Sequence, residues 1–504
     1  MKGGKKVDLR EYIKSLQLID ELWVVENAVN AGFNASAAVA RAMEEDGKGL
    51  LLEEIREFPN FSFVGGIFSR PSLWLHPKKK YPDREAWSKY ASILQASEDI
   101  SLTELLNEIQ TRKGEKIFAN EVNTGPCEEV TISQEELDLT NIPIPKPTQY
   151  DEREYLPSAV LILQDPETGD TKWIETRIIR FDKRRFILPV SGNPKMAGIY
   201  SKYAEKEEDI PSTLLIGPEP AVTIVAKMGV PTGMAGIAGS LQKKPVELME
   251  GKKNELMIPV NTEVVIEGVI KTYEMEEKGT HQGFFRKHES EKEPVFEAKY
   301  IMRRENPIIP IDVPPLKMSD QMVLTSLIHS QELLEAINGL YSHNPAVWVH
   351  VPPELRLGIG LVAAKVDYPG QMGELGKLML GNSPYITFAG VLDEEEYDGC
   401  IVEALNSCFR KTSPDKWEFL SEMRTPESMR IKSSQKTSTR VYLKGAFDPT
   451  WKDEWISQRI SFEDNIPFDI QKKVVEKWKE WEFAKDPIWR KDYAKKVREV
   501  GVKE

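Results

Sequence analysis

The sequence is poor in cysteine, histidine and long apolar runs. Its three thiols, Cys127, Cys400 and Cys408, are scattered through 504 residues with no CxxC pair. An odd number of thiols in so long a chain gives no disulfide framework and points to a reduced, intracellular protein. No uncharged apolar stretch approaches the ~20 residues that a membrane span needs. The start, Met-Lys-Gly-Gly-Lys-Lys, leads straight into the polar stretch Val7 to Lys14, without the apolar core of a secretory signal. Long basic blocks are missing too. The 67 Lys and Arg against 80 Asp and Glu leave a net charge of −13, and Lys78-Lys79-Lys80 is too short to make a phosphate-binding surface. Nucleic acid and anionic membrane are thereby excluded as main partners, and the cytoplasm is the expected compartment.

The usual chemical signatures are also absent. There is no GxGxxG, Walker loop, HExxH or GxSxG. Gly358-Ile359-Gly360 comes nearest to a dinucleotide fingerprint, but it runs into an apolar stretch to Val366, which reads as a strand with glycines rather than a helix start. The six histidines are too dispersed for an obvious metal site. His281 and His288 lie seven apart in surroundings rich in Glu and Lys, the composition of a solvated loop.

What is present is length enough for several cores, at roughly 150 residues per domain. From Leu9 to Glu57 apolar residues such as Ile13, Leu16 and Ile19 recur every three positions, which predicts amphipathic helices. Asn34 or Ser36 is the expected cap of the helix through Ala37 to Ala40, and Gly47 its stop. Between about Phe118 and Pro310 the pattern becomes short β-rich runs among Gly and Pro, including Ala159–Leu163, Ala221–Val225 and Val264–Ile266. The proline-rich flank Asn141 to Pro147 is extended, since its three prolines remove donors and restrict their predecessors. A helix over Asp320 to Asn338, strands at Val347 to Val351 and Gly360 to Val366, a helix from Gln371 to Leu380 and a strand at Tyr385 to Leu392 predict an α/β domain. After Trp451 the chain reads as charged and helical, with Ile470, Val474, Trp478 and Trp481 on one stripe for packing or for docking a second subunit.

Two clusters carry possible chemistry. As a strand, Lys172 to Ile178 places Lys172, Ile174, Thr176 and Ile178 on one face and Trp173, Glu175 and Arg177 on the other. Arg177 there could hold a carboxylate or phosphate bidentately, or be one member of a salt-bridged face. Gly279-Thr280-His281-Gln282-Gly283 is a glycine-bracketed turn whose backbone could approach a ligand, or simply a turn.

Six strings in order resemble the UbiD family of carboxy-lyases: Asp138-Leu139-Thr140-Asn141-Ile142-Pro143, Asp165-Pro166-Glu167-Thr168-Gly169, Ile216-Gly217-Pro218-Glu219-Pro220-Ala221, Ile266-Glu267-Gly268, Tyr368-Pro369-Gly370 and Asp448-Pro449-Thr450. Order and spacing agree from about residue 130 to 450. The resemblance implies a mixed α+β and α/β multidomain fold with a central split β-barrel of flavin-reductase type. It divides the chain into an N-terminal α/β part (1–125), the flavin-binding barrel (126–312), a C-terminal α/β domain (313–450) and a helical oligomerisation segment (451–504). It also implies prenylated flavin mononucleotide as cofactor, a small aromatic or unsaturated acid as substrate, and homo-oligomers or hetero-oligomers with another UbiD-like subunit.

Carried over residue by residue, the family's site is only partly kept. The arginine that contacts flavin and substrate is Arg177. The metal-binding asparagine, histidine and glutamate fall on Lys172, Lys195 and Met234. Ammonium groups repel a divalent ion and a thioether is a poor ligand for a hard cation, so no metal is expected there. Lys172 and Lys195 could instead hold a phosphate as point charges, with Lys444 a further phosphate contact. The carboxylate of the family's turn is Thr280, which cannot exchange a proton near neutral pH, so His281 or Glu277 is the expected substitute. A second family carboxylate falls near Met275, with Glu274, Glu276 or Glu277 within a small shift. Two readings follow. The chain is an atypical carboxylase or decarboxylase, alone or in a heteromeric anaerobic aromatic carboxylase, using Arg177, His281 or Glu277, Lys172 and Lys195. Alternatively, it is a non-catalytic subunit that supports an active paralogue and binds no flavin.

Overall fold

The computed structural model describes residues 8–71, 86–283, 285, 287–314, 316–394, 401–412, 414–426, 436–452, 465–477 and 480. Helix α1 (Leu9–Leu18) is capped by Asp8, whose carboxylate accepts from the Glu11 amide, and buries Leu9, Tyr12, Ile13 and Leu16. The periodicity after it is not helical throughout, because strands β1 (Leu22–Val25) and β2 (Gly49–Leu52) bracket helix α2 (Phe33–Asp46). Leu22 to Val25 and Leu50 to Leu52 are short apolar runs, which helical and strand patterns share. Helix α2 starts after Gly32 without a side-chain cap, not at Asn34 or Ser36, and ends as expected at Gly47 in the left-handed region. A Cβ on Gly47 would lie 2.3 Å from the Arg70 carbonyl carbon, so both conformation and space require glycine here.

Strand β3 (Ser62–Gly65) pairs antiparallel with β2, and the short strand Ile308–Pro310 pairs parallel with β3, completing a four-stranded sheet. The N-terminal layer therefore takes its last strand from beyond the barrel. Helix α3 (Leu102–Gly114) begins at a capping box between Ser101 and Glu104 and packs on the helices that cover the barrel.

The centre is a closed, six-stranded antiparallel barrel. Strands β4 (Tyr155–Gln164), β5 (Thr171–Arg180), β6 (Arg185–Ile187), β7 (Ile210–Ile216), β8 (Val264–Glu277) and the long strand Lys292–Arg303 run in the order β8, β7, β4, β5, β6, Lys292–Arg303, and the last pairs back on β8. Alternation sorts their side chains. Leu161, Leu163, Ile174, Ile178, Leu214, Val264 and Ile266 form one core, while Val160, Ile162, Trp173, Leu215 and Val265 face the covering helices. One such helix is Pro220–Met228, which includes the run Ala221 to Val225 read above as a strand. Its apolar residues are buried on nearly every side, so no amphipathic period shows. Pro220 at its first turn and left-handed Gly229 at its end are the helix signals.

The C-terminal sheet is five-stranded and mixed. Ala346–His350, Ile359–Ala364, Phe388–Asp393, Thr437–Lys444 and Glu418–Arg424 are neighbours in that order, with parallel pairing between the second, third and fourth. Gly358 to Ala363 thus leads into and forms a strand, as its apolar run predicts. Helix Asp320–Asn338 joins this sheet to the barrel and Gln371–Asn382 packs on it. Near the end, Phe468–Glu476 is helical, with Ile470 exposed. Trp478 and Trp481 of the predicted stripe, and Cys400, lie outside the described residues; Cys127 and Cys408 are buried. Among the described residues no helix is long and apolar enough to cross a membrane.

Candidate active site

The face of β5 that carries Trp173, Glu175 and Arg177 is the outward one, as alternation from Lys172 predicts. Arg177 is half-buried, with its guanidinium carbon 4.5 Å from the centre of the Tyr155 ring on β4. Its Nε is buried without a hydrogen-bond partner, and among the described residues the guanidinium forms no ion pair. The Tyr155 hydroxyl is buried, and burial pushes its pKa up, with Arg177 opposing the rise and Asp151 and Asp312 adding to it. Cation–π contact contributes about 0.5–2 kcal/mol and leaves all five guanidinium donors available. Arg177 is therefore positioned without being neutralised, the state expected of an anion receptor.

Beside it stands His281. The Glu- and Lys-rich segment is not a solvated loop: His281–Gln282 and Lys287–His288 form a two-stranded hairpin. His281 and His288 are cross-strand partners, with rings stacked at 4.8 Å and 5°. Charged flanks masked a hairpin whose inner residue is covered by the protein. Burial first, then the positive charge of Arg177 and the neighbouring His288 and Lys278, push His281 down to about 2. Its imidazole is neutral at neutral pH, with Nδ1 buried and unpartnered.

The hairpin is tied to the chain entering β4. The Gln282 amide donates to Asp151 Oδ1 at 2.9 Å, the Glu152 amide to the Thr280 carbonyl at 2.9 Å, and the Thr280 amide to Glu152 Oε2 at 3.0 Å. Gly279 sits at φ +77°, where a Cβ would come within 3.1 Å of the Glu152 Cβ. Of the acidic candidates, Glu277 is exposed and accepts from the Ser290 hydroxyl at 2.6 Å, and Glu274 pairs with Arg185. Thr280 is held by its backbone.

Lys172 and Lys195 come together from separate elements. Lys172 Nζ donates to the Pro231 carbonyl and Lys195 Nζ to that of Gly229, both on the turn after helix Pro220–Met228. Met234, which opens the next helix, accepts from the Trp173 amide through its sulfur at 2.9 Å. The three positions implied by the resemblance thus meet, but their donor set is two ammonium groups and a thioether. That set does not fit a divalent ion. Among the described residues no group of three His, Cys, Asp or Glu is placed to hold a metal. Lys444 ends a strand of the C-terminal sheet and pairs with Glu418 at 2.9 Å.

Pattern reading missed the acids behind this face. A cleft runs between Pro157 to Val160 of β4, Thr223 of the covering helix, Asp312, and Asp320 and Gln321 at the start of the long helix. Glu175, Lys227 and Gln321 close a polar triangle beside it at 2.8, 3.0 and 3.2 Å. Asp312 is buried and accepts the amides of Val313 (2.8 Å), Asp320 (3.2 Å) and Gln321 (3.0 Å). Burial, followed by the charge of Asp320, still raises its pKa. Asp320 is raised as well, by burial, against the pull of Lys89 and the amides of residues 67 to 69. No local pattern marks Tyr155, which meets Arg177 from a neighbouring strand, or Asp312, which lies in no motif.

Known proteins resemble this chain in sequence and in fold. A sequence profile for the UbiD 3-octaprenyl-4-hydroxybenzoate carboxy-lyase Rift-related domain matches residues 120–317. An uncharacterised protein of Archaeoglobus fulgidus is 27% identical over 376 residues, 72% of this chain and 75% of that one. Pyrrole-2-carboxylic acid decarboxylase of Pseudomonas aeruginosa is 24% identical over 351 residues, 68% of each chain. The open form of vanillic acid decarboxylase from Sedimentibacter hydroxybenzoicus superposes with a TM-score of 0.80 at 19% identity, covering 95% of this chain and 99% of the other. The UbiD-class enzyme HmfF from Pelotomaculum thermopropionicum, in complex with FMN, gives 0.77 at 20% identity, covering 90% and 97%.

Proposed function

Because the chain belongs to the UbiD family, we propose that it is a carboxy-lyase component that removes or adds CO2 on an aromatic or unsaturated acid. The observation that carries this reading is the Arg177 guanidinium, oriented on Tyr155, half-buried and without a counter-ion among the described residues. A carboxylate satisfies such a group with two parallel charge-assisted hydrogen bonds. The orphaned Arg177 Nε and His281 Nδ1 also fit a polar ring system laid against the barrel, as a flavin would be. The chemistry a prenylated flavin supplies when bound is an electron sink for the pair released as the carboxyl group leaves. Lys172 and Lys195 would hold its phosphate without a metal.

The residues of this chain divide the remaining work. Arg177 orients the carboxylate. His281, neutral and desolvated, offers Nδ1 as a hydrogen-bond partner but holds no second proton to give near pH 7.

A second reading, a supporting subunit of a heteromeric carboxylase, draws on the lysines and Met234 that stand where oxygen and imidazole ligands are expected, and on Thr280. One experiment separates the two. The chain is produced alone and with a prenylated-flavin synthase, its absorption spectrum recorded and CO2 exchange on aromatic acids measured. Bound flavin and exchange that vanishes in Arg177→Ala support the enzyme. A colourless protein that co-purifies with a second UbiD-like chain from its native host overturns it.

A further inference from the structure

The helices Pro220–Met228 and Met234–Leu241 pack together as a hairpin, and the turn that joins them is the one to which Lys172 and Lys195 donate. The open end of the hairpin carries Glu219, just before the first helix, and Gln242, just after the second. Glu219 makes no side-chain cap on its own helix. Its carboxylate accepts instead from the Gln242 amide nitrogen at 2.8 Å and from that of Asn261, in the turn before β8, at 2.7 Å. Glu219, Gln242 and Asn261 are 2, 3 and 6% exposed, so water does not screen them.

This group is short of positive charge and rich in free acceptors. Among the described residues no lysine or arginine pairs with Glu219, and the charges that act on it most are those of the acids Asp8 and Glu247. Asp8 has Arg304 at 3.5 Å and Glu247 is partly exposed, which leaves Glu219 as the buried carboxylate without compensation. Gln242 Oε1 and Asn261 Oδ1 are buried with no hydrogen-bond partner. Turning either amide over would aim its oxygen at the carboxylate and remove one of the two side-chain donors that Glu219 has. The oxygen and nitrogen of an amide are about 2.2 Å apart, so each free oxygen lies within about 5 Å of a Glu219 oxygen. Oxygens around one hard cation, each at about 2.5 Å from it, span that same distance. The Lys244 carbonyl and Glu247 Oε2, at 3.4 and 3.5 Å from the two amide nitrogens, place further oxygens at the rim.

We propose that Glu219, Gln242 and Asn261 bind one monovalent alkali cation. A single positive charge balances the single buried carboxylate, and the ligands are all oxygen, as a hard cation requires. A water molecule could donate to both orphaned oxygens but would leave the buried charge unbalanced, which is the larger cost. The ion fastens both ends of the helical hairpin to the turn before β8. A helix of nine residues, roughly 13 Å long, separates it from the turn that Lys172 and Lys195 meet, so the two positions are distinct. The proposal is independent of the carboxylate-binding reading of Arg177.

The test is thermal denaturation of the full chain at pH 8, where Glu219, raised to about 7 by burial, is mostly ionised. Potassium, sodium and tetramethylammonium chloride are compared at equal ionic strength, the last cation being too bulky to enter among the three side chains. Potassium or sodium should raise the unfolding midpoint by about 2 °C or more over tetramethylammonium, and the gain should saturate as the concentration rises. Glu219→Gln should lose that difference. Equal midpoints in the three salts, or a difference that survives in Glu219→Gln, overturns the proposal. Thallous acetate soaked into crystals of the unaltered protein locates the ion without any variant, so a poorly folded Glu219→Gln does not remove the test. Anomalous density among Glu219, Gln242 and Asn261 is expected there; its absence, as when water alone fills the position, overturns the assignment.

Discussion

His281 makes a pH prediction whose size follows from its burial. In the unfolded chain an imidazole titrates near 6.5, whereas in the folded protein burial, Arg177 and Lys278 hold His281 down to about 2. A base with a lowered folded pKa contributes stability that is fully present above 6.5. That contribution is lost as the pH falls from 6.5 towards the folded value, because only the unfolded chain takes up the proton. Between pH 7 and pH 5 the unfolded form gains about 1.5 pH units of protonation, so the folded state loses about 2 kcal/mol from this residue. Other groups titrate as well. His350 is held down to about 3 by burial, and Glu219 is raised to about 7 by burial, with opposite effects on stability. Comparison with His281→Gln cancels them, since the variant keeps both. In urea unfolding at pH 7 and pH 5, the stability of the unaltered protein should fall by about 2 kcal/mol more than that of the variant. Identical pH dependence in the two proteins would refute the burial argument and restore His281 as a group able to give up a proton near neutrality.

Two further predictions concern charge. Glu354→Ala leaves the guanidinium of Arg70, now bonded to Glu354 at 2.7 and 3.1 Å and fully buried over Trp87, without its counter-ion. Thermal denaturation should show a loss of about 3–5 kcal/mol, and replacing both partners with apolar residues of similar size should recover much of it. Lys172→Met with Lys195→Met should weaken FMN binding tenfold or more without affecting riboflavin, read by flavin fluorescence. A chelator should leave FMN binding to the unaltered chain unchanged; chelator-sensitive binding would show that an ion, not ammonium charge, meets the phosphate.

The barrel and the strand face that carries Arg177 were legible where local pattern and geometry coincide. Strand alternation alone put Arg177 and Glu175 on the face opposite Lys172, and β5 has that arrangement. Legibility failed where burial is uniform, as at Ala221 to Val225, a helix with apolar residues on all sides and hence no period to read. It also failed where composition misled: Glu and Lys around His281 suggested solvent, while cross-strand pairing with His288 and the ties to Asp151 and Glu152 leave the ring half-buried. Tyr155 had no signal, since it lies in no motif and meets Arg177 only across paired strands of the folded barrel.

The short strand Ile308–Pro310 has a consequence for synthesis. Strands β1, β2 and β3 emerge from the ribosome early, yet β3 lacks its outer partner until residue 310 has been made, on the order of tens of seconds later. The loop at residues 67 to 69 likewise waits for the carboxylate of Asp320. A layer translated before the barrel is thus finished only after it. In the interval it exposes a paired but unclosed sheet edge, open to chaperones and to association with other nascent chains.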